Sequence, residues 1–433
     1  KQLQSYQAQL SDSTTKADFG LFLTQLIGQL GDRHASVRGY DLPDEYFLPF
    51  IIAPHERKVI ALEYVRAQKS FKELYADFPY LTAINGEAVD SILPQICPEE
   101  VGAPEIAYHF RAVRELRHIQ ERFAILGRDL PKKSTFTFSG EKGDTVVTLP
   151  LLHRSKRLGR WSDRSEKREK LNDSLTISRQ FQQLGDVAYT RLADMVAPEE
   201  APHFYNALHD FMHANRSSNA LIIDIRGNGG GTRDLLRTLS PFLVHPDSIY
   251  VANIAYQRAN TILTIDEKSS LHARYLFSLD ELDESTRLFV NQWFSNFRPT
   301  VELNDDLFSR PHFMLLRGSK DSSYYHYNQP VYVLMDERSF SAASIMASAL
   351  GVLPNVQLVG TTTDGSSGNS RSFYLPNTQL RIKASTMLSF QANGDLLDGI
   401  GTSPDITIPR SLDQIKWETD AQLEKLIKLI EQQ

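Results

Sequence analysis

One cysteine, Cys97, is all that this 433-residue chain contains, which excludes an intramolecular disulfide framework and any zinc site built from several thiolates. A surplus of positive charge is also missing. Lysine and arginine number 47 against 53 acidic residues, for a net charge of −6, which predicts neither a nucleic-acid nor an anionic-membrane partner. There is no run of about 18 apolar residues, so no segment is expected to span a membrane. The chain has no internal repeat and no low-complexity tract, and neither Gly-Lys-Ser/Thr nor G-x-G-x-x-G occurs, so a nucleotide-phosphate loop has no support. It also opens without methionine, on Lys1-Gln2-Leu3-Gln4. A segment is therefore expected to have preceded it, and the bacterial periplasm or secretion is favoured over the cytoplasm, although the lack of disulfides would suit either.

What is present is an ordinary globular composition, 41% apolar and 23% charged, sufficient for a sizeable core. The length suggests two to three domains. Phe19, Phe22, Leu23, Leu26, Ile27 and Leu30 fall at helical spacing over 18–30, with Asp18 as candidate N-cap. Residues 46–66 read as two or three strands. Tyr80–Val89 reads as a strand, an Asn85-Gly86 turn and a return. Residues 104–127 read as helical and 134–151 as a hairpin. The charged stretch 153–172 has few apolar positions and interleaves both signs, as a solvated linker or flap does. Beyond it, apolar strands at 187–192 and 220–225 alternate with a helix over 198–214, the pattern of parallel βαβ units. Residues 245–329 look irregular and aromatic, an insertion expected to shape a cleft. The strand–helix pattern resumes at Pro330–Leu350, and 413–433 reads as one closing amphipathic helix.

Two segments could carry chemistry. The first runs from an apolar strand through Glu337-Arg338-Ser339-Phe340-Ser341-Ala342-Ala343-Ser344 into a helix. A serine at such a junction gains from free N–H groups and the positive helix terminus, although serine is also a good plain N-cap. The second is Asp224-Ile-Arg226-Gly227-Asn228-Gly229-Gly230-Gly231-Thr232, again between strand and helix. Four glycines in five positions let backbone N–H groups converge, as an oxyanion-binding loop requires. His209 and His213 stand four apart, as zinc ligands on a helix do, but Asp210 replaces the glutamate of H-E-x-x-H and is a methylene shorter, so the pair reads as structural and no metal or cofactor is expected. His34, after the Gly31-Asp32 turn, and Asp398, in a glycine-punctuated turn, would each pass alone as ordinary surface and turn residues.

In this order the segments resemble peptidase family S41, the C-terminal processing and tricorn-type serine proteases. Asp-Ile-Arg-Gly-Asn-Gly-Gly-Gly is similar to the family's D-[LI]-R-x-N-x-G-G loop, and the Ser339/Ser341 segment to its nucleophile turn. Val359-Gly360-Thr361-Thr-Thr is similar to V-G-x-x-T, and Gly399-Ile-Gly-Thr-Ser-Pro-Asp to G-x-G-x-x-P-D. The resemblance implies an α/β fold with a crotonase/ClpP-like ββα core, and Ser341 as nucleophile. The Ser–Lys branch of the family carries a lysine where Ser366 stands here. The likeness is therefore nearer the Ser–His–carboxylate branch, which includes tricorn and the chlamydial protease-like activity factor. On that pattern His34 is the base, Asp398 orients it in place of a glutamate, and the N–H groups of Gly230 and Ala342 form the oxyanion hole. Lys383 lies on an expected strand and has no counterpart in the family. The implied organisation is an N-terminal helical segment 1–43 carrying His34, a divergent PDZ-like domain 44–152, a linker 153–175 and a catalytic domain 176–433. The implied partner is a peptide or unfolded protein, cleaved through an acyl-enzyme. A catalytically silent peptide- or ligand-binding relative and a serine esterase are the alternatives.

Overall fold

The computed structural model describes residues 4, 7, 8, 10–163, 174–258 and 262–432; residues 164–173 of the expected linker lie outside the described residues. The chain forms two compact units, one of residues 1–164, 372–384 and 409–425, the other of 165–371, 385–408 and 426–433. The expected boundary at 43/44 is thus internal to the first unit, and two stretches assigned by sequence to the catalytic domain belong there too. Among the described residues no helix is long and apolar enough to cross a membrane.

In the first unit, helix α1 (Lys16–Gly28) has its N-cap three residues earlier than expected. Thr15 is its N-cap and Asp18 is N3 of a capping box, each side chain accepting the other residue's backbone N–H; the hydroxyl upstream takes the cap and leaves the carboxylate the reciprocal role. A mixed-length antiparallel sheet follows, of β1 (Ile51–His55), β2 (Lys58–Val65), β3 (Ser70–Glu73), β4 (Tyr80–Ile84), β5 (Lys133–Gly140) and β6 (Gly143–Pro150), with order β1-β2-β4-β5-β6 and β3 on β2. After β4 the turn forms as the Asn-Gly pair predicts, with Asn85 at φ 50° and Gly86 at φ 82°, the two positive values that a type I′ hairpin demands.

Alternation along these strands sends side chains to two buried faces. Phe50, Ile52, Val59, Ala61, Phe136 and Phe138 pack with Ala112 and Val113 of helix α2 (Glu105–Glu115) and with its C-cap Leu116. Ile51, Ala53, Ile60, Leu62 and Phe71 pack with Phe110, Trp161 and Ile415. The second face explains why residues 409–425 return to this unit. Trp161 is 1% exposed and its indole N–H donates to Ile415 O at 2.9 Å, while Arg410 Nε pairs with the buried Asp163 carboxylate at 2.9 Å. The expected single helix over 413–433 is broken into Leu412–Ile415 and Ala421–Glu431 because Trp417 adopts φ 70° and packs its ring on Phe71.

The second unit is built on a six-stranded sheet, order β7 (Phe181–Leu184), β8 (Val187–Arg191), β9 (Ala220–Asp224), β12 (Val331–Met335), β13 (Val356–Gly360), β15 (Ile406–Thr407). Only the β7–β8 pair is antiparallel. Helices α3 (Pro202–Ala214), α4 (Asp234–Leu243) and α6 (Ala342–Leu350) bury Leu208, Leu236, Leu239, Ile345 and Met346 in one core with Leu221, Ile223, Val331 and Val333. The described residues of 245–329 are only partly irregular. They hold strands β10 (Ile249–Gln257) and β11 (His312–Arg317) and helix α5 (Glu284–Ser295), and β10 lies between β11 and β14 (Met387–Phe390) in a second antiparallel sheet. Residues 251–255 are all buried, so the polar alternation that marks a half-exposed strand is missing, and one partner strand comes from about 130 residues later. The rings of His209 and His213 lie 4.6 Å apart, tilted by 47°, and both pack against Phe242.

Because Trp161 fills the core beneath β1 and β2, Trp161→Ala is expected to cost about 3–5 kcal/mol, measured by urea unfolding. A loss under about 1 kcal/mol would mean that residues 409–425 do not close this face.

Candidate active site

Four loops of the second unit leave the carboxyl ends of neighbouring parallel strands β8, β9, β12 and β13, the position where open α/β sheets bind ligands. The loop after β9 begins with a buried ion pair. Arg226 Nη2 lies 2.7 Å from Asp224 Oδ2 and Nε lies 3.0 Å from Oδ1, with the two side chains 1% and 0% exposed. Tyr189 Oη also donates to Asp224 at 2.9 Å. Burial alone would raise the Asp224 carboxyl, but the Arg226 guanidinium and its hydrogen bonds outweigh that and hold it below the ordinary carboxylate range.

Asn228 then fixes the glycines. Its Nδ2 donates to Leu192 O at 2.6 Å and its Oδ1 accepts the Gly230 N–H at 2.8 Å. The loop after β12 is sewn to this one. Asp336 Oδ1 accepts the N–H groups of Gly227 and Arg338 at 2.9 and 3.0 Å, Ser339 Oγ donates to Ile225 O at 2.9 Å, and Phe340 N donates to Asn228 O at 3.0 Å. Ser339 is fully buried by these contacts, so of the two serines it is the structural one.

Ser341 sits at the N-cap of α6 with φ 56° and ψ −121°, and its side chain makes no capping bond. A non-glycine residue in that region stores roughly 1–3 kcal/mol of strain and persists only where its surroundings enforce it. The surroundings are on hand. Ser341 N donates to Ser366 O at 3.0 Å, and Gly230 lies so near that an added Cβ would stand 2.5 Å from Phe340 O, 2.7 Å from Ser341 Cβ and 2.9 Å from Ala342 N. Ala342 opens the helix, so its N–H belongs to the set of donors that have no intrahelical partner. Ser341, Gly230 and Ala342 are therefore brought together, with the Gly230 N–H engaged by Asn228.

Asp398, 3% exposed, belongs to the same unit. Its Oδ1 accepts Ser367 N and Oγ at 2.8 and 2.9 Å, and its Oδ2 accepts Ser367 Oγ and Ser389 N, both at 2.8 Å. Gly399 N donates to Gly365 O at 2.8 Å. The segment 365–367 is thus held on one side by Asp398 and Gly399 and on the other holds Ser341.

His34 belongs to the first unit. After α1, Gly31 turns the chain at φ 67° and Asp32–Ala35 closes through Ala35 N to Asp32 O at 2.9 Å. Asp32 Oδ1 lies 2.6 Å from His34 Nδ1 and accepts the His34 backbone N–H at 2.9 Å. The Asp32 side chain is 0% exposed and that of His34 15%. Lys383 pairs across an antiparallel ladder with Ser36. Sequence reasoning named Asp32 only as part of a turn and left Asn228 and Ser367 without roles. The Asp32 contact had a signal, since an aspartate two residues ahead of a histidine can close an Asx turn; the Asn228 and Ser367 contacts join distant segments and had none.

The chain is similar in sequence and in fold to known proteins. The profile of peptidase family S41 matches residues 186–408, just over half of the chain. The structure of mature CPAF complexed with lactacystin superposes with a TM-score of 0.64 at 18% identity, over 99% of this chain and 91% of that one. The crystal structure of mature CPAF gives 0.65 at 17%, over 99% and 90%. A protein of Chlamydia muridarum is 30% identical over 110 residues, 24% of this chain and 18% of its own length. A Chlamydia trachomatis protein is 29% identical over 108 residues, with the same coverage. The chain thus aligns with less than a fifth of these curated relatives.

Two substitutions test how the site is built. Gly230→Ala puts a methyl into the Ser341 turn at φ 80° and is expected to cost about 2–4 kcal/mol in thermal unfolding; a neutral result would mean that the two loops do not touch. Arg226→Met leaves Asp224 buried without its cation, at about 3–5 kcal/mol near neutral pH. The depressed Asp224 carboxyl contributes stability above its unfolded value near 3.9, lost as pH falls through the folded value. In the variant burial alone acts on Asp224 and raises its carboxyl, so protonation relieves the penalty and the stability gap between parent and variant is expected to narrow as pH falls; a gap that stays constant from neutral to acid pH would count against this account.

Proposed function

The chain belongs to peptidase family S41 and is a serine-type peptidase by that membership, and from this premise we propose that it is an endopeptidase that hydrolyses peptide bonds through an acyl-enzyme on Ser341. The observation that carries the reading is the Ser341 turn. It is a left-handed serine between a buried strand and a helix start, enforced by a glycine packed against it, and it makes no cap that would account for the strain.

Serine at its free pKa is a weak nucleophile and needs a neighbouring base. His34 supplies it in this reading. Its Nε2 takes the Ser341 Oγ proton as Oγ attacks the scissile carbonyl, and then delivers that proton to the leaving amine. The oxyanion is received by the Ala342 N–H at the helix start and by the Gly230 N–H, which it shares with Asn228 Oδ1. One such donor is typically worth about 2.7–4 kcal/mol in the transition state. Water activated by the same imidazole then releases the acyl group. The parallel sheet with its helices fits a crotonase/ClpP-like core, and the sheet of residues 44–152 takes the part of a divergent PDZ-like docking module. The substrate class is a peptide or unfolded protein.

Labelling with a fluorophosphonate probe tests the assignment. Wild type is expected to label, Ser341→Ala not at all, and His34→Ala at a rate lower by a factor on the order of 10³ or more, as for removal of a triad member. Labelling that survives Ser341→Ala sinks the nucleophile; ester turnover without peptide turnover moves the reading to an esterase, and a wild type inert to probe and peptide moves it to a binding protein.

A further inference from the structure

Resting on His34 as the base, we propose that Asp32 is the carboxylate that fixes the His34 tautomer, and that Asp398 acts instead on the nucleophile by clamping the segment that seats Ser341. Both are positioning residues, each acting through another side chain.

The argument begins with the two nitrogens of one imidazole. Asp32 Oδ1 is 2.6 Å from His34 Nδ1, and an ionised carboxylate can only accept, so the Nδ1 proton is the one held. Nε2 is left with its lone pair, the atom a general base uses on Ser341. With Nδ1 on Asp32 and Nε2 on the nucleophile, no ring nitrogen remains for a second carboxylate to orient. The same Oδ1 accepts the His34 backbone N–H at 2.9 Å, so ring and main chain are fixed to a single oxygen. The Asp32 side chain is fully buried while the ring keeps partial access. Local sequence contributes to this device, because Asp-x-His in a turn brings the carboxylate back to the ring within three residues.

Asp398 makes a different kind of contact. Both of its oxygens bind Ser367, Oδ2 also takes Ser389 N, and Ser366, the residue before, accepts the Ser341 N–H. Losing this carboxylate loosens the carbonyl that helps hold Ser341 at φ 56°.

The test uses the full chain, the fluorophosphonate probe and ¹⁵N-histidine NMR, which distinguishes a proton on Nδ1 from one on Nε2. Wild type is expected to show His34 protonated on Nδ1. Asp32→Asn is nearly isosteric and its Oδ1 can keep both contacts, so it should retain that signature while labelling slows by about ten- to a hundredfold, the loss of a charge-assisted hydrogen bond. Asp32→Ala should lose the Nδ1–H signature, and neither change should slow labelling further in a His34→Ala background. Asp398→Asn should slow labelling and leave the Nδ1–H signature in place. The proposal is overturned if Asp32→Ala keeps both signature and rate, or if Asp398→Asn is the change that removes the signature. If His34→Ala labels as fast as wild type, the base assignment fails first and the proposal falls with it; a His34-dependent rate indifferent to Asp32 rejects the proposal alone.

Discussion

The backbone of Ser341 is the constraint on which the second unit turns. Its conformation is unfavourable for any residue with a Cβ, and the chain holds it by fastening three loops around one peptide: Phe340 N to Asn228 O, Ser341 N to Ser366 O, and Ser339 Oγ to Ile225 O. Gly230 completes the enclosure by having no side chain where one would collide. Each of these bonds is worth about 1 kcal/mol by itself, comparable to the strain, so the turn persists because several act together on a rigid frame.

The frame is polar where a core would ordinarily be apolar. Asp224, Arg226, Asp336 and Glu337 are at most 2% exposed: Asp224 pairs with Arg226, Asp336 accepts the N–H groups of Gly227 and Arg338, and Glu337 takes Thr361 Oγ1 at 2.8 Å. Buried charge is costly and adds little net stability compared with apolar packing. What it supplies here is direction, because a carboxylate that accepts two or three donors fixes the loop that carries them. Such a layer at the carboxyl ends of the strands holds the loops it carries in one arrangement.

Burial also divides the aspartates by range. Asp32 reaches His34 two residues away, so its contact survives any change elsewhere in the fold that keeps the turn. Asp398 reaches Ser367 across 31 residues, and its contact exists only once β14 and the 361–368 segment are in place. One carboxylate is organised by local sequence, the other by the sheet.

The sequence alone determined much of this protein. Periodic apolar strands, the Asn85-Gly86 turn, the strand–glycine–helix and strand–serine–helix junctions and the family order were all legible, because each is written in residues a few positions apart. It misjudged residues 245–329, where β10 is buried on both sides and pairs with a strand from far downstream, and the closing helix, which Trp417 interrupts to pack on Phe71. Tertiary structure alone decided that Ser339 is structural while Ser341 bears the strained turn, that Asn228 holds the Gly230 N–H, and that Asp398 grips Ser367. The reason is physical. Hydrogen bonds between loops depend on where the strands beneath them end, and strand order in a sheet is set by packing across the whole core rather than by any short stretch of sequence.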